Sequence, residues 1–223
     1  CGLLSVDGTT TGNVVANGNG VVFGATTIGG TLASASGTGS ITQTGPLAVG
    51  GATTLDGGSH DVTLNNAGND FAGAVTATGG SVSLADANAL AVHLGAANAA
   101  LSAGGALTVD GSTTGALAAT GGGIAFGAGS TTVGGALTAT STGAVTQSGD
   151  LAVAGTTTID AAGQSVALAR QGNHLGGAVT VAAAAADIEQ AGALTAHLNN
   201  VGSAVLASGA GLTCGLTFIW FSA

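Results

Sequence analysis

The run ITQTGPLAVGGATTLD, Ile41–Asp56, returns as VTQSGDLAVAGTTTID, Val145–Asp160, with no gap between the two copies. The same offset of 104 residues carries Val62 onto Val166, Leu64 onto Leu168, Asn69 onto Asn173 and Val75 onto Val179. It still holds at Leu90 onto Leu194, His93 onto His197 and Leu94 onto Leu198. Over Ile41–Gly105 against Val145–Gly209, 26 of 65 positions are identical. Biased composition raises such a count but does not hold a constant register. Self-similarity at a fixed period, in residues that favour strands, marks a solenoid.

Within each copy the pattern is that of a parallel β-helix. Leu47-Ala48-Val49, Val62-Thr63-Leu64, Val82-Ser83-Leu84 and Leu90-Ala91-Val92 alternate, so the outer two side chains share a face and the middle one points away. Gly-Gly, Asn-Ala-Gly-Asn and Asp-Ala-Asn separate them, residues that let the chain turn sharply. Val181–Gln190 is alanine-rich and has helical propensity. Its counterpart TATGGSVSLAD does not, so strand is expected in both. A coil of about 20 residues makes 104 residues about five rungs and the chain about ten, a rod about 50 Å long at 4.8 Å per rung. Parallel crossovers predict right-handed coiling. Leu47, Val49, Val62, Leu64, Val75 and Leu90 should point inward, with Leu151, Val153, Val166, Leu168, Val179 and Leu194. Residues 1–211 read as one continuous solenoid and 212–223 as a non-repeat apolar tail, a cap or a fragment end, holding Phe218, Trp220 and Phe221.

Composition agrees. The chain has 43 Gly, one Pro and a single basic residue, Arg170, yet 45% of it is hydrophobic, which argues against disorder. Aromatics are only 3%, as suits a narrow core of Val, Leu, Ile and Ala. A net charge of −9 argues against nucleic acid and anionic membrane surfaces, and no apolar run is long enough for a membrane helix.

TTVGGALTATSTGAVTQSGDLAVAGTTTIDA, Thr131–Ala161, and VTLNNAGNDFAGAVTATGGSVSLADANAL, Val62–Leu90, resemble the filamentous haemagglutinin-type repeats of large bacterial adhesins. The resemblance reaches to about Leu212 and implies a β-helical stalk exported by two-partner secretion, extracellular or on the outer cell surface. A host-cell or surface receptor is the partner it implies. No NPNL- or NPNGI-type motif of the family's secretion domain is found, as expected of an internal fragment.

Little in the chain suggests chemistry. His93 and His197 are repeat equivalents, but five rungs would separate them by about 24 Å, too far to share a metal. His60 becomes Gln164 and Asp70 becomes His174 in the second copy. Asp56 and Asp160 follow strands where Asx turns suffice. GGSHDVTL at Gly57 is the nearest approach to a calcium roll and has no tandem copy. GGGIAFGAG at Gly121 lacks the lysine of a phosphate loop. No catalytic residue, metal ligand or cofactor is therefore expected. Two other classes compete less well. One is an ice-binding face built on Thr9–Thr11, Thr53-Thr54, Thr113-Thr114 and Thr156–Thr158, which would be interrupted; the other is a polysaccharide-acting β-helix enzyme. Cys1 and Cys214, near opposite ends, are too far apart for a bridge. Open solenoid ends further predict fraying at the first rung, or end-to-end association.

Overall fold

The computed structural model describes residues 2–217, and they form a β-solenoid of parallel strands with no helix. Alternation sets each strand. The first copy comprises β1 (Leu3–Thr10), β2 (Val14–Gly18), β3 (Gly20–Ile28), β4 (Leu32–Ser36), β5 (Ile41–Gln43) and β6 (Leu47–Val49). It continues with β7 (Thr53–Asp56), β8 (Val62–Leu64), β9 (Asp70–Phe71), β10 (Val75–Asp86) and β11 (Leu90–Ala103). The second runs β12 (Ala106–Thr113), β13 (Leu117–Gly121), β14 (Gly123–Val133), β15 (Leu137–Ser141), β16 (Val145–Gln147) and β17 (Leu151–Val153). It follows with β18 (Thr157–Asp160), β19 (Ser165–Ala169), β20 (His174–Leu175), β21 (Val179–Ala182), β22 (Ala185–Gln190), β23 (Ala193–Asn199) and β24 (Ser203–Ser208). Element for element the second copy repeats the first, with β10 split into β21 and β22 and β11 into β23 and β24. The alanine-rich stretch is strand, as its repeat partner required.

β25 (Gly211–Thr217) lies on β23 as β12 lies on β11, a further strand beyond the boundary expected at residue 211. Of the aromatic tail, Phe218–Ala223 lie outside the described residues.

One stack shows how the coils pile up. Leu4, Val21, Ile41, Val62, Val82, Ala99, Leu117, Leu137, Thr157, Val179, Ala196 and Cys214 each pair with the next. That gives about 12 turns, more than a uniform coil length implied. The coils are unequal: the one from Val75 to its partner Val92 is short, and the one from Ala48 to its partner Asp70 is long. All twelve side chains expected inside are buried to 1% exposure or less.

The repeat and the coil are out of phase. Five coils below Ile41 lies Leu137, not its repeat equivalent Val145. Val145 belongs to another stack, Leu90, Leu107, Ile124, Val145, Val166 and Ala186. The repeat unit is thus five coils plus one strand. Successive copies repeat the same strand path but turn it to a different side of the rod.

Glycine fills a corner of the stack. Gly135 N–H donates to Gly115 O (2.8 Å), Gly155 N–H to Gly135 O (2.9 Å) and Gly177 N–H to Gly155 O (3.1 Å). A Cβ on Gly155 would come within 2.6 Å of the Gly135 carbonyl oxygen, so the coils close here only without side chains.

Two core positions are polar without need. Thr53 and Thr157, repeat equivalents, are each 1% exposed, and neither hydroxyl has a hydrogen-bond partner. Thr53 sits between Leu32 and Val75, and Thr157 between Leu137 and Val179. Valine has nearly the same shape and nothing to desolvate. Thr53→Val and Thr157→Val are each expected to stabilise the protein by about 1 kcal/mol in urea unfolding. A loss of stability of that size would mean the hydroxyls are satisfied.

Candidate functional site

The most elaborate side-chain constellation is buried and occurs twice. Asn69 stands at the turn into β9, fully buried. Its Oδ1 accepts from Leu47 N–H (2.8 Å) and from Gln43 Nε2 (2.8 Å). Its Nδ2 donates to Gln43 Oε1 (2.9 Å), Leu64 O (2.9 Å) and Ala85 O (3.2 Å). The two amides therefore clasp reciprocally between segments distant in sequence and tie three successive coils together. Asn173 repeats this, clasping Gln147 both ways at 2.8 Å, accepting from Leu151 N–H (2.9 Å) and donating to Leu168 O and Glu189 O (both 2.9 Å). A neutral amide pair suits such a place, since each side chain both donates and accepts and no charge is desolvated.

A second polar plug differs between copies. Asp86, 3% exposed, accepts Phe71 N–H (2.7 Å) and Asn88 N–H (2.6 Å). At its repeat position Gln190 accepts Leu175 N–H (2.6 Å) and donates to Ala193 O. Either side chain meets the backbone N–H that the short β9 or β20 strand leaves over.

The exposed polar groups are more scattered. Asp56 Oδ1 accepts Gly58 N–H (2.9 Å) and Asp160 Oδ1 accepts Ala162 N–H (3.0 Å), the Asx turns expected for both. Gly58 and Ala162 take φ of 57° and 45° there. His93 Nδ1 lies 2.6 Å from Asp110 Oδ1, directly one coil below, over a shallow groove of about 160 Å³ that includes Thr76, Ala91 and Thr108. Arg170 pairs with Asp150 at 2.8 Å, both exposed. His197, the equivalent of His93, stacks instead between Thr180 and Gly215. Among the described residues, no three His, Cys, Asp or Glu side chains converge as a metal would require. Cys214 is exposed and unbridged, and Cys1 lies outside the described residues.

The threonines alternate as their spacing implied, Thr54 and Thr158 outward, Thr53 and Thr157 inward. Outward residues also line up between coils. Thr138, Thr158 and Thr180 stack on three consecutive coils, bounded by Ala118 and His197. Around Ser83, Ala100 and Ala118 the same face is a shallow, charge-free groove of about 220 Å³.

Sequence reasoning did not find the amide clasp. Its signal was present, since Gln43 and Asn69 are polar residues kept unchanged at Gln147 and Asn173. The Asp86 and Gln190 plug left no such signal, because its chemistry changes between copies.

A parallel β-solenoid locked internally by paired amides is the class of protein this architecture defines. Within that class the chain belongs to a family of repeats of unknown function (DUF5649), which matches residues 11–78 and 114–182, more than half of the chain. The two matched segments stand in the relation of the internal repeat, each covering the same part of its copy. No curated protein and no solved structure matches the chain.

Proposed function

We propose that the chain is a rigid, non-catalytic spacer in a bacterial adhesin of the filamentous haemagglutinin type, working outside the cell. One observation carries this reading: the repeat keeps its frame but builds no continuous functional surface. The Gln–Asn clasp and much of the Leu and Val core recur between copies, whereas exposed Asp70 becomes His174, and exposed groups that do recur, such as Thr54 at Thr158 and His93 at His197, stand in different stacks. A kept frame without a kept surface stripe fits a part whose task is length and stiffness. Stacked backbone hydrogen bonds would carry load along the rod, holding a distal binding region away from the cell, and the charge of −9 would keep neighbouring rods apart. The receptor and the export route rest on the resemblance to that family. Antibody raised against the purified chain should label intact cells of the source organism. Label that appears only after permeabilisation would overturn the reading.

The stack of Thr138, Thr158 and Thr180 favours a second reading, ice binding. Inhibition of ice recrystallisation by micromolar protein would replace the spacer reading with that one.

A further inference from the structure

One side of the rod is free of charge through its middle. The outward column Thr63, Ser83, Ala100, Ala118, Thr138, Thr158 and Thr180 runs unbroken, each residue paired with the next, and His197 continues it. The strand segments 81–85, 98–102, 116–120 and 136–140 around it hold no charged residue. The repeat does not preserve this column, since the equivalents of Thr63 and Ser83 are Ala167 and Asp187, which pair with each other on another stack. Its relief comes in two halves. Ser83, Ala100 and Ala118 are short and line two adjoining shallow grooves of about 220 and 330 Å³. Thr138, Thr158 and Thr180 follow directly, branched at Cβ, and raise a ridge over the same number of coils.

We propose that a second copy of this chain lies antiparallel on this face, side by side, with the ridge of each copy in the groove of the other. A two-fold axis along the strands, between Ala118 and Thr138, brings Ala118 of one copy opposite Thr138 of the other, Ala100 opposite Thr158 and Ser83 opposite Thr180. Each copy gives a ridge and receives one, as an isologous contact requires. Parallel rods would instead set ridge on ridge. The acidic residues bordering the face also avoid one another in this register. Asp160 falls opposite Ser102 and Asp61 opposite Thr195, so no carboxylate meets a carboxylate. Elsewhere the charge of −9 holds rods apart, and on this face that repulsion is least. The coils from Thr63 to His197, about 4.8 Å apart, and about five residues of each strand give a patch of roughly 650 Å² a side, about 1,300 Å² in all, within the range of specific interfaces. Small side chains and no aromatic anchor make this a weak contact, of micromolar strength.

In sedimentation velocity the full chain should pass from monomer to dimer at micromolar concentration and go no further. Ala100→Lys and Ala118→Lys each bring an ammonium into the groove and should weaken the dimer at least tenfold, with an unchanged far-UV spectrum. Ala167→Lys adds the same charge at an exposed position on another side and should leave the dimer as it was. Cysteines read the register, in a background of Cys1→Ser and Cys214→Ser. A100C/T158C should oxidise to a disulfide-linked dimer, because three coils, about 14 Å, forbid a bridge within one chain. A100C alone, which parallel rods would link, should stay unlinked. A chain that stays monomeric, whether or not it inhibits ice recrystallisation, would overturn the proposal. So would an A167K loss equal to that of A100K, an unlinked A100C/T158C, or a link formed as readily by A100C alone.

Discussion

Asn69→Asp is expected to cost roughly 3–5 kcal/mol, the size reached when a buried hydrogen-bond network is broken by an unpaired charge. The amide nitrogen of Asn69 faces three oxygens, Gln43 Oε1, Leu64 O and Ala85 O. A carboxylate there would turn every one of those contacts from attraction to repulsion, in a site with no exposure to water. Asn69→Ala should cost somewhat less, about 2–4 kcal/mol, because it strands Leu47 N–H and two carbonyls without adding charge. Each rung of a solenoid is held by its neighbours alone, so the damage should be local before it is global. Hydrogen exchange is therefore the telling measurement: protection should collapse at Leu47 and across Leu64–Ala85 while Leu151 and Leu168 keep theirs. Asn173→Asp should show the mirror image. Asn65→Asp, at an exposed turn position shortly before it, should change stability by less than about 0.5 kcal/mol. If Asn69→Asp and Asn65→Asp behave alike, the clasp has no energetic part in the fold.

Much of this architecture is legible in the chain because it rests on period-two alternation. Leu47, Val62, Leu90 and their partners can be placed inside, since a strand leaves only two faces and the polar alternates take the other. The alanine-rich stretch at 181–190 reads correctly only through its repeat partner, which overrules local propensity. The number of coils is less accessible. Short and long coils look alike at their strands and differ in corners whose length no strand pattern reveals. For the same reason the repeat length alone implies about five rungs, and the extra strand that moves Val145 off the stack of Ile41 is invisible in it. Equivalent surface residues such as Thr54 and Thr158 consequently stand on different sides of the rod, each in its own stack. A feature fixed in the repeat unit winds round the axis instead of forming one continuous stripe.

The scatter of the histidines is readable in part. His93 and His197 do stand apart, in different stacks, but Asp110, the actual partner of His93, lies beyond the end of the first copy and outside any pattern within it. It meets His93 because one short coil carries the chain from β11 straight onto β12. Contacts across the joint between two copies are the kind that a repeat, read copy against copy, hides.

Gly111→Ala and Gly8→Ala make the clearest comparison, since one position of the repeat is tested with and without a coil above it. Both glycines follow an aspartate at the same bulge, Gly111 pairing with Thr131 and Gly8 with Thr26 after a shift of register. In each the bulge is pinned from within, Thr131 Oγ1 donating to Val109 O (3.2 Å) and Thr26 Oγ1 to Val6 O (3.1 Å). Both have positive φ, 94° and 113°, where any side chain is strained by about 1–2 kcal/mol. At Gly111 the backbone of Leu94 adds a collision, its carbonyl oxygen 2.2 Å and its nitrogen 2.7 Å from where a Cβ would stand. Neither atom can swing aside, because both belong to a strand paired on two sides. Gly111→Ala should thus cost roughly 3–5 kcal/mol, the strain of φ plus a displaced coil. Gly8→Ala should cost only the strain, about 1–2 kcal/mol. Urea unfolding of the two variants beside the parent protein reads the difference directly. Equal losses would mean that β12 is not seated under β11 as closely as its pairing requires, and the stacked register on which the rod depends would have to be redrawn.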